Sequence, residues 1–289
     1  MAALDVDITC RPLALADLDT CLALSAGAGW NQLREDWALF LNLHPGGCFV
    51  ALAGERLAGT VTAIDYDGRF SWIGMMLVHP DLRRRGIGTL LMNAAMTALA
   101  SCETIKLDAT PAGRTLYAQL GFVDEYDLGR LIAPRPTWPA APGEPAVVTR
   151  VHPADLAEMA AFDAPVFGVP RRRVLQAWYE RTPDAAFLVR RDGRLAGYAL
   201  GRPGANFATI GPVIAATEAD ARSLVRAVAQ SFGDRPLGID SPVRHGSFRA
   251  WLESGGFVFQ RPLTRMARGP NRWPGLPDQQ WAVLGPEVG

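Results

Sequence analysis

The alternation of apolar and polar positions in the first half of the chain predicts six strands and four helices. Period-two patterns bounded by turn residues indicate strands, and apolar residues three or four positions apart indicate helices. The predicted strands span residues 8–13, 48–53, 57–65, 70–78, 104–109 and 122–132, and the predicted helices span 16–26, 32–43, 86–100 and 113–120. Short turns with Gly or Asp between the second, third and fourth strands favour an antiparallel meander. The predicted fold class is a mixed α/β sheet, with one crossover helix between the fourth and fifth strands.

The second half of the chain repeats landmarks of the first half in the same order. The repeated segments are Arg56–Gly59 with Arg194–Gly197, Ile73-Gly74 with Ile210-Gly211, and Gly121-Phe122 with Gly256-Phe257, at offsets of 138, 137 and 135 residues. A nearly constant offset is the signature of a duplicated structural unit. Five prolines between residues 134 and 145 predict an extended linker, because proline has no amide hydrogen to donate. We therefore predict one domain over 1–134, a linker over 135–145, and a second copy of the fold with a C-terminal tail over 146–289.

Composition places the chain among globular proteins. Hydrophobic residues make up 49% and charged residues 20% of the 289 positions, and the formal net charge is zero. A nucleic-acid surface requires clustered basic residues, so no nucleic-acid partner is expected. No apolar run approaches the ~20 residues of a membrane span, and the N-terminus lacks the pattern of a signal peptide. The four cysteines form no C-x-x-C pair and the four histidines have no metal-ligand spacing, so a cytoplasmic protein without metal or membrane contact is expected.

The segment after the fourth predicted strand combines an arginine-rich loop with two glycines at the start of a helix. Residues 83–85 are all arginine, and Gly86 and Gly88 flank one isoleucine. The first backbone amides of a helix have no partner within the helix, and the helix dipole is positive there. Glycines remove the side chains that would keep a phosphate away from those amides. The spacing R-x-x-G-x-G therefore suits a diphosphate lying across the first helical turn.

Together with the preceding strand end, Val78-x-Pro80, this loop resembles the acetyl-CoA signature of the GNAT N-acetyltransferases. The resemblance implies that acetyl-CoA is the acyl donor, with its pantetheine arm bound along the fourth strand like an added strand. It also implies a bulge in that strand and a V-shaped slot beside the fifth strand, where the Leu77 amide acts as a catalytic donor to the thioester carbonyl. The implied cofactor-binding residues are Met76, Leu77, Val78, Arg83, Arg84, Arg85, Gly86, Ile87, Gly88 and Thr89.

A second segment, Leu116-Tyr117-x-x-x-Gly121-Phe122, resembles the other GNAT signature, in which a strand is followed by a helix containing L-Y-x-x-x-G-F. In the family this tyrosine points at the coenzyme A sulfur, so the resemblance implies Tyr117 as the general acid that protonates the departing thiolate. Thr110 stands seven residues earlier, where many members carry an asparagine that contacts pantetheine. Threonine has a shorter reach but can still hydrogen-bond, so Thr110 is a further cofactor-binding candidate.

The loop between the first two predicted helices provides candidates for binding the acceptor. Trp30 and Asn31 would give an apolar wall and a hydrogen-bonding group, as small-molecule sites commonly do. The alternative interpretation is a core tryptophan and a helix-capping asparagine. Trp72 on the fourth strand is a third substrate-binding candidate.

The general base is left open by the sequence. An acceptor amine is mostly protonated at neutral pH and must lose a proton before it attacks. GNAT enzymes often use a glutamate on the fourth strand, but residues 70–78 contain no carboxylate. Asp65, Asp67, Asp108 and a chain of water molecules are the alternatives.

The second half lacks the residues that suit a diphosphate. After its corresponding strand come Thr217, Glu218 and Asp220, with no glycine and with carboxylates that would repel phosphate. Thr217 instead suits a helix N-cap with acidic residues in the first turn. The sequence resembles tandem GNAT proteins in which the second domain keeps the fold and has lost the cofactor site.

The predicted function is transfer of an acetyl group from acetyl-CoA to a primary amine of a small molecule. Protein or peptide acetylation is a second possibility within the same enzyme class. A non-catalytic acyl-CoA-binding sensor is a possibility from a different class, which the missing strand carboxylate favours and Tyr117 disfavours. The expected assembly is a monomer with pseudo-dimeric halves or a homodimer.

Overall fold

In the computed structural model, which describes residues 7–138 and 147–289, the first half has the six strands and four helices that its sequence pattern predicts. The strands are β1 (Ile8–Pro12), β2 (Phe49–Ala53), β3 (Arg56–Tyr66), β4 (Phe70–Val78), β5 (Thr104–Ala109) and β6 (Val123–Ala133). The helices are α1 (Leu18–Gly27), α2 (Arg34–Leu43), α3 (Ile87–Ala98) and α4 (Pro111–Gln119). Each predicted boundary lies within about two residues of the observed one, the usual uncertainty for fraying ends. The predicted mixed α/β class is confirmed.

The second half repeats the same order of elements, which confirms the tandem repeat of one fold. Its elements are β7 (Val148–Arg150), α5 (Leu156–Phe167), α6 (Arg172–Arg181), β8 (Ala186–Arg191), β9 (Arg194–Arg202), β10 (Ala208–Ala215), α7 (Glu218–Ser231), β11 (Leu237–Pro242), α8 (Gly246–Ser254) and β12 (Val258–Arg268), followed by a short additional strand, β13 (Gln280–Ala282). Among the described residues, no helix combines the length and apolar character needed to cross a membrane.

The two halves share one continuous sheet because they exchange their final strands. The strand order is β1-β2-β3-β4-β5-β12-β6-β11-β10-β9-β8-β7, with β13 paired to β10. β12 from the second half pairs with β5, where Met266 lies opposite Leu107. β6 from the first half pairs with β12 on one side and with β11 on the other, where Leu131 lies opposite Ile239. β6 does not pair with β5, and β12 does not pair with β11.

Helices α1, α2, α5 and α6 enclose a hydrophobic core that belongs to both halves. Trp37 from the first half and Trp178 from the second are both buried in it. The ring of Phe167 lies 5.1 Å from those of Tyr66 and Phe70 on the opposite half. Buried aromatic contacts of this kind stabilise an interface well beyond what exposed polar contacts contribute.

The predicted linker lies partly outside the described residues. Of residues 135–145, the structure describes only 135–138. Within that stretch the Thr137 amide donates to the Gly255 carbonyl (2.9 Å), and the Trp138 ring stacks on Trp251 with centroids 4.8 Å apart. The chain leaving β6 therefore packs against the second half. The boundaries of the two domains stay a prediction.

Candidate functional site

β4 carries a bulge at its centre. β3 and β4 pair at Thr60–Leu77 and again at Thr62–Gly74, and between these pairs β3 has one residue whereas β4 has two, Met75 and Met76. Met75 has φ +49°, a left-handed conformation that costs a non-glycine residue free energy. A bulge bends its strand and redirects backbone groups away from the ladder. It lies where the family resemblance implies it.

β4 and β5 separate directly after their first three pairs. Their parallel pairing runs from Phe70–Thr104 to Trp72–Lys106. Beyond it, β5 continues to pair with β12, and β4 continues to pair with β3, so a slot opens between β4 and β5. Backbone groups along an unpaired strand edge can bind an extended ligand as an added strand. This is the slot that the resemblance implies for pantetheine.

A partly open cavity of about 90 Å³ lies at the base of this slot. Its walls come from β4, β5, α4, the loop between α1 and α2, the exchanged strands and the C-terminal segment. The lining residues are Trp30, Asn31, Gln32, Ile73, Gly74, Met75, Met76, Leu107, Asp108, Thr110, Tyr117, Arg130, Arg261, Leu263, Pro286 and Glu287. Both halves of the chain therefore build this cavity.

The N-terminus of α3 begins at a glycine and leaves its first backbone amides free. Gly86 is its N-cap with φ +77°, and a Cβ atom there would meet nothing within 4 Å, so the position favours glycine for its backbone conformation. A Cβ atom on Gly88 would lie 3.0 Å from the Met76 methyl group. The first hydrogen bond of the helix joins the Leu90 amide to the Gly86 carbonyl (3.0 Å), so the amides of Ile87, Gly88 and Thr89 have no partner within the helix.

The three arginines before this helix are exposed, and none lies within 4.0 Å of a carboxylate among the described residues. Arg83 Nε donates to the Val78 carbonyl (3.3 Å), which holds the loop against the end of β4. Arg84 has φ +61°, a strained conformation that turns the loop towards α3. Arg85 directly precedes Gly86. Unpaired guanidinium groups beside free helix amides are the donors that phosphate groups require.

Tyr117 reaches the cavity from α4. Its side chain is 8% exposed, and its hydroxyl makes no hydrogen bond to another described residue. Burial raises the pKa of Tyr117 to about 12, so the phenol stays protonated at neutral pH. Gly113 makes room for the ring, because a Cβ atom there would lie 2.8 Å from Tyr117 Cε2. A protonated phenol without a partner can donate to a group that enters the cavity.

Thr110 lies at the edge of the same cavity, as the N-cap of α4. Its Oγ1 accepts a hydrogen bond from the Gly113 amide (3.2 Å). The hydroxyl hydrogen has no acceptor among the described residues. Thr110 therefore combines helix capping with a position that allows contact to a ligand in the slot.

Trp30 and Asn31, the acceptor-pocket candidates of the α1–α2 loop, line the cavity, but the Asn31 side chain is hydrogen-bonded to the second half. Its Nδ2 donates to the Phe207 carbonyl (2.9 Å), and its Oδ1 accepts from the amides of Asn206 (2.8 Å) and Phe207 (3.1 Å). The side chain is buried and its hydrogen-bonding capacity is largely used. Trp30 is partly buried, and its carbonyl accepts from Asn206 Nδ2 (3.0 Å).

Trp72 lies away from this cavity. Its indole is fully buried against Phe167, and Nε1 donates to the Pro286 carbonyl (2.9 Å). The sequence analysis placed this side chain in the acceptor pocket. In the structure it instead anchors the C-terminal segment, because alternate residues of a strand point to opposite faces of the sheet.

Glu287 is a carboxylate in the cavity that the sequence analysis did not predict. The C-terminal segment crosses β4 at Gly74, where a Cβ atom would lie 2.5 Å from the Glu287 carbonyl oxygen. The Tyr66 hydroxyl donates to the Val288 carbonyl (2.7 Å) and secures the crossing. The Glu287 side chain is 4% exposed, and Arg202 Nη2 donates to its Oε1 (2.5 Å). Its Oε2 makes no hydrogen bond within the described part of the chain.

The repeated Ile-Gly pairs are the sequence signal that could have indicated this crossing. Gly211 in the second half lies against the Val283 carbonyl, as Gly74 lies against Glu287. A glycine inside a strand often marks the close approach of another backbone. The sequence could not show which segment approaches.

Of the three aspartates considered as a base, only Asp108 lines the cavity. Its carboxylate accepts from Arg265 Nε (2.9 Å) and Nη2 (3.0 Å). Burial raises the pKa of Asp108, and the Arg265 charge opposes that shift. Asp65 accepts from the Gly68 amide (2.7 Å), and Asp67 is a turn residue with φ +55°. Asp65 lies near the end of β3 and Asp67 lies in the turn that follows it.

In the second half, the tail occupies the position that corresponds to the slot. β10 and β11 pair in parallel only from Ala208–Leu237 to Ile210–Ile239, and β13 then pairs with β10. Trp281 Nε1 donates to the Ala215 carbonyl (3.0 Å). Thr217 is the N-cap of α7, as predicted, and its Oγ1 accepts from the Asp220 amide (3.2 Å).

Comparisons with known proteins identify the family. Residues 16–122 match the sequence family described as acetyltransferase (GNAT) family, and residues 159–282 match the acetyltransferase (GNAT) domain. The chain is 31% identical over 225 residues to mycothiol acetyltransferase of Parafrankia sp. (strain EAN1pec), covering 65% of this chain and 67% of that protein. It is 24% identical over 264 residues to holothin acyltransferase of Pseudoalteromonas sp. (strain SANK 73390), covering 90% of this chain and 88% of that protein.

A solved protein from Pyrococcus horikoshii, assigned as an acetyltransferase, has the same fold. Its TM-score is 0.79 at 23% identity, with 100% of this chain and 99% of that chain covered. Both halves thus match one family in sequence, and the whole chain matches a solved relative in fold. The chain belongs to the GNAT acetyltransferase family, whose acyl donor is acetyl-CoA, and it contains two GNAT domains in tandem.

Proposed function

We propose that the protein transfers the acetyl group of acetyl-CoA to a primary amine of a small molecule, in the slot between β4 and β5. The observation that carries the proposal is the bulged, splayed edge of β4 ending at the glycine-capped start of α3. The unpaired strand edge fits pantetheine, and the free amides with three arginines fit its diphosphate. These features occur together only in the first half of the described chain.

Acetyl-CoA supplies the acetyl group as a thioester, and the residues of the slot orient and polarise it. The Leu77 amide follows the bulge and donates to the carbonyl oxygen as negative charge develops there. The Met76 and Val78 backbones bind the pantetheine arm, and Thr110 donates to it from the other side. Tyr117 gives its proton to the sulfur as the thiolate leaves.

Glu287 is the proposed general base. Its Oε2 faces no donor in the described chain, whereas Asp108 accepts two hydrogen bonds from Arg265. The contact with Arg202 fixes the carboxylate, and the Glu287 backbone crosses Gly74 at the edge of β4 that binds the thioester. A carboxylate so placed attracts the ammonium form of the acceptor and takes its proton. The sensor alternative was favoured by the missing strand carboxylate, and Glu287 removes that argument.

The cavity favours a small acceptor over a protein. Asn31 on one side and residues 286–287 on the other close it with buried, hydrogen-bonded groups. A peptide substrate requires an open channel leading to the thioester. We further propose that the second half binds no cofactor, because β13 occupies the corresponding edge of β10.

The proposal is tested by measuring release of free coenzyme A from acetyl-CoA against a panel of amines, with acetyl-CoA binding measured separately by calorimetry. Amine-dependent release is the expected result. Saturable binding without release on any amine would support the sensor. A folded protein with no affinity for acetyl-CoA at millimolar concentration would overturn the proposal.

We expect Gly86→Val to weaken acetyl-CoA binding by about 10- to 100-fold, the loss of one or two charge-assisted hydrogen bonds. Valine is strained at positive φ and places a side chain over the free amides. Gly68→Val is the matched control, because Gly68 also has positive φ and open space but lies in the β3–β4 turn. Calorimetry should show normal affinity for the control. Equal losses in both variants would mean that strain, and not the anion site, is responsible.

We expect Tyr117→Phe to lower kcat by about 10-fold without abolishing transfer. A thiol leaving group with a pKa near ~8.5 needs only modest help at neutral pH. Phenylalanine keeps the ring that packs beside Gly113. Tyr179→Phe on α6 is the control for removal of a buried hydroxyl. Unchanged turnover in Tyr117→Phe would remove its role as general acid.

A further inference from the structure

Arg261 is a cation in the cavity without a partner. It lies on β12 and lines the cavity together with Arg130, its neighbour across the β6–β12 ladder. Within residues 7–138 and 147–289 it makes no hydrogen bond and no ion pair, and its Nε is buried without an acceptor. Burial, and to a lesser degree the Arg130 charge, lowers the pKa of Arg261, and the more distant charges of Asp240 and Glu287 oppose that shift only in part. Arg261 as a whole is half-buried, and a cation partly removed from water costs folding free energy unless an anion binds it.

The other charged residues that line the cavity are each matched by an opposite charge. Arg130 donates to both oxygens of Asp240, at 2.8 and 2.6 Å. Asp108 is paired with Arg265, and Glu287 is paired with Arg202. Arg261 is therefore the one charged residue of this lining that has no opposite charge within 4.0 Å among the described residues.

Arg261 lies beside the residues proposed to act on the acceptor and not beside the loop proposed for the diphosphate. The loop proposed for the diphosphate lies at the start of α3, whereas Arg261 shares its cavity with Trp30, Tyr117 and Glu287. The guanidinium is a planar fork that matches two oxygens of one carboxylate or phosphate. An anionic group bound there leaves the rest of a small molecule within the same cavity as Glu287.

We infer that the acceptor is an amine that also carries an anionic oxygen group, bound by Arg261 while its nitrogen lies near Glu287 and the thioester. The inference rests on the proposed function. Amino acids and phosphorylated amines both have this chemistry. The anionic group fixes the orientation of the acceptor, and the amine reacts at the edge of β4.

Matched pairs of amines test this inference. Phenylalanine is compared with 2-phenylethylamine, 4-aminobutyrate with butylamine, and O-phosphoethanolamine with ethanolamine, by coenzyme A release. We expect the anionic member of at least one pair to have a kcat/KM about 10- to 100-fold higher, the worth of a charge-assisted contact. The first two pairs report a carboxylate and the third a phosphate. Equal or lower values for the anionic member in every pair would overturn the inference.

Arg261→Met should abolish this preference by raising KM for the anionic acceptor, with KM for acetyl-CoA unchanged. Arg261→Lys should restore part of the preference. Since Arg261 has no partner, Arg261→Met should also melt at the same or a higher temperature, which a structural role would not allow. Arg173→Met, at an exposed position on α6, is the control and should change neither value.

The failures of the two proposals are distinguishable. Loss of acetyl-CoA affinity in Arg261→Met, with the acceptor KM unchanged, would place Arg261 at the cofactor and overturn the inference alone. If no amine is turned over, binding of the same amines is measured by calorimetry on the protein saturated with coenzyme A. The inference is overturned if none of the anionic amines binds. Absence of acetyl-CoA binding to the unmodified protein would overturn the proposed function itself.

Discussion

Residues 1–134 produced alone will not fold, although they contain every element of one GNAT domain. Both partners of β6, namely β11 and β12, belong to the second half, and β5 also loses β12. The fragment would expose the edges of two central strands and the face of α1 and α2 that packs against α5 and α6. A domain is stable by only about 5–15 kcal/mol, and each lost hydrogen bond or buried side chain costs about 1–3 kcal/mol.

The measurement is near-ultraviolet circular dichroism and thermal unfolding of the fragment, compared with the full chain. Residues 1–138 and 147–289 expressed together provide the control, because they contain all the exchanged strands. We expect the pair to assemble and to bind acetyl-CoA, and the single fragment to do neither. A fragment that unfolds cooperatively and binds acetyl-CoA would show that β6 can close the first half by itself.

Glu287→Gln is expected to lower kcat/KM at pH 7 by about 100- to 1,000-fold, the range of a lost general base. Glutamine retains an oxygen that accepts from Arg202, so the C-terminal segment should stay in place. The deficit should shrink as the pH rises, because an amine with a pKa near ~10 then loses its proton to the solvent. Acetyl-CoA affinity should remain normal, since no part of the diphosphate loop is changed.

Glu253→Gln on α8 is the control, because Glu253 is exposed and, among the described residues, its side chain pairs only with Arg249 four residues away. It should match the unmodified protein at every pH. Normal turnover of Glu287→Gln at pH 7 would exclude Glu287 as the base. Asp108 or a chain of water molecules would then be the candidate base. A deficit that is constant with pH would indicate a positioning role.

Local sequence was sufficient for the helices and strands of the first half. Apolar periodicity located the ten elements of the first half to within about two residues, because each period reflects the geometry of a single helix or strand. The glycine-capped helix start at residues 83–88 was also predictable, since it is built from consecutive residues, and its binding of a diphosphate stays a prediction. Thr217 as a helix cap followed from the same kind of local rule.

The tertiary structure decided which strands are neighbours and which segment completes the cavity. Periodicity is the same whether β6 pairs with β5 or with β11, so the exchange of strands left no local trace. Glu287 lies 213 positions after Gly74 in the chain, and only the folded tail brings it to β4. Asn31 and Trp72 were assigned by position in the chain, whereas their contacts with residues 206–207 and 286 depend on long-range packing. The sequence by itself determined the repeated fold and the helix start at residues 83–88, and the tertiary structure determined the cavity, because the cavity is assembled from both halves.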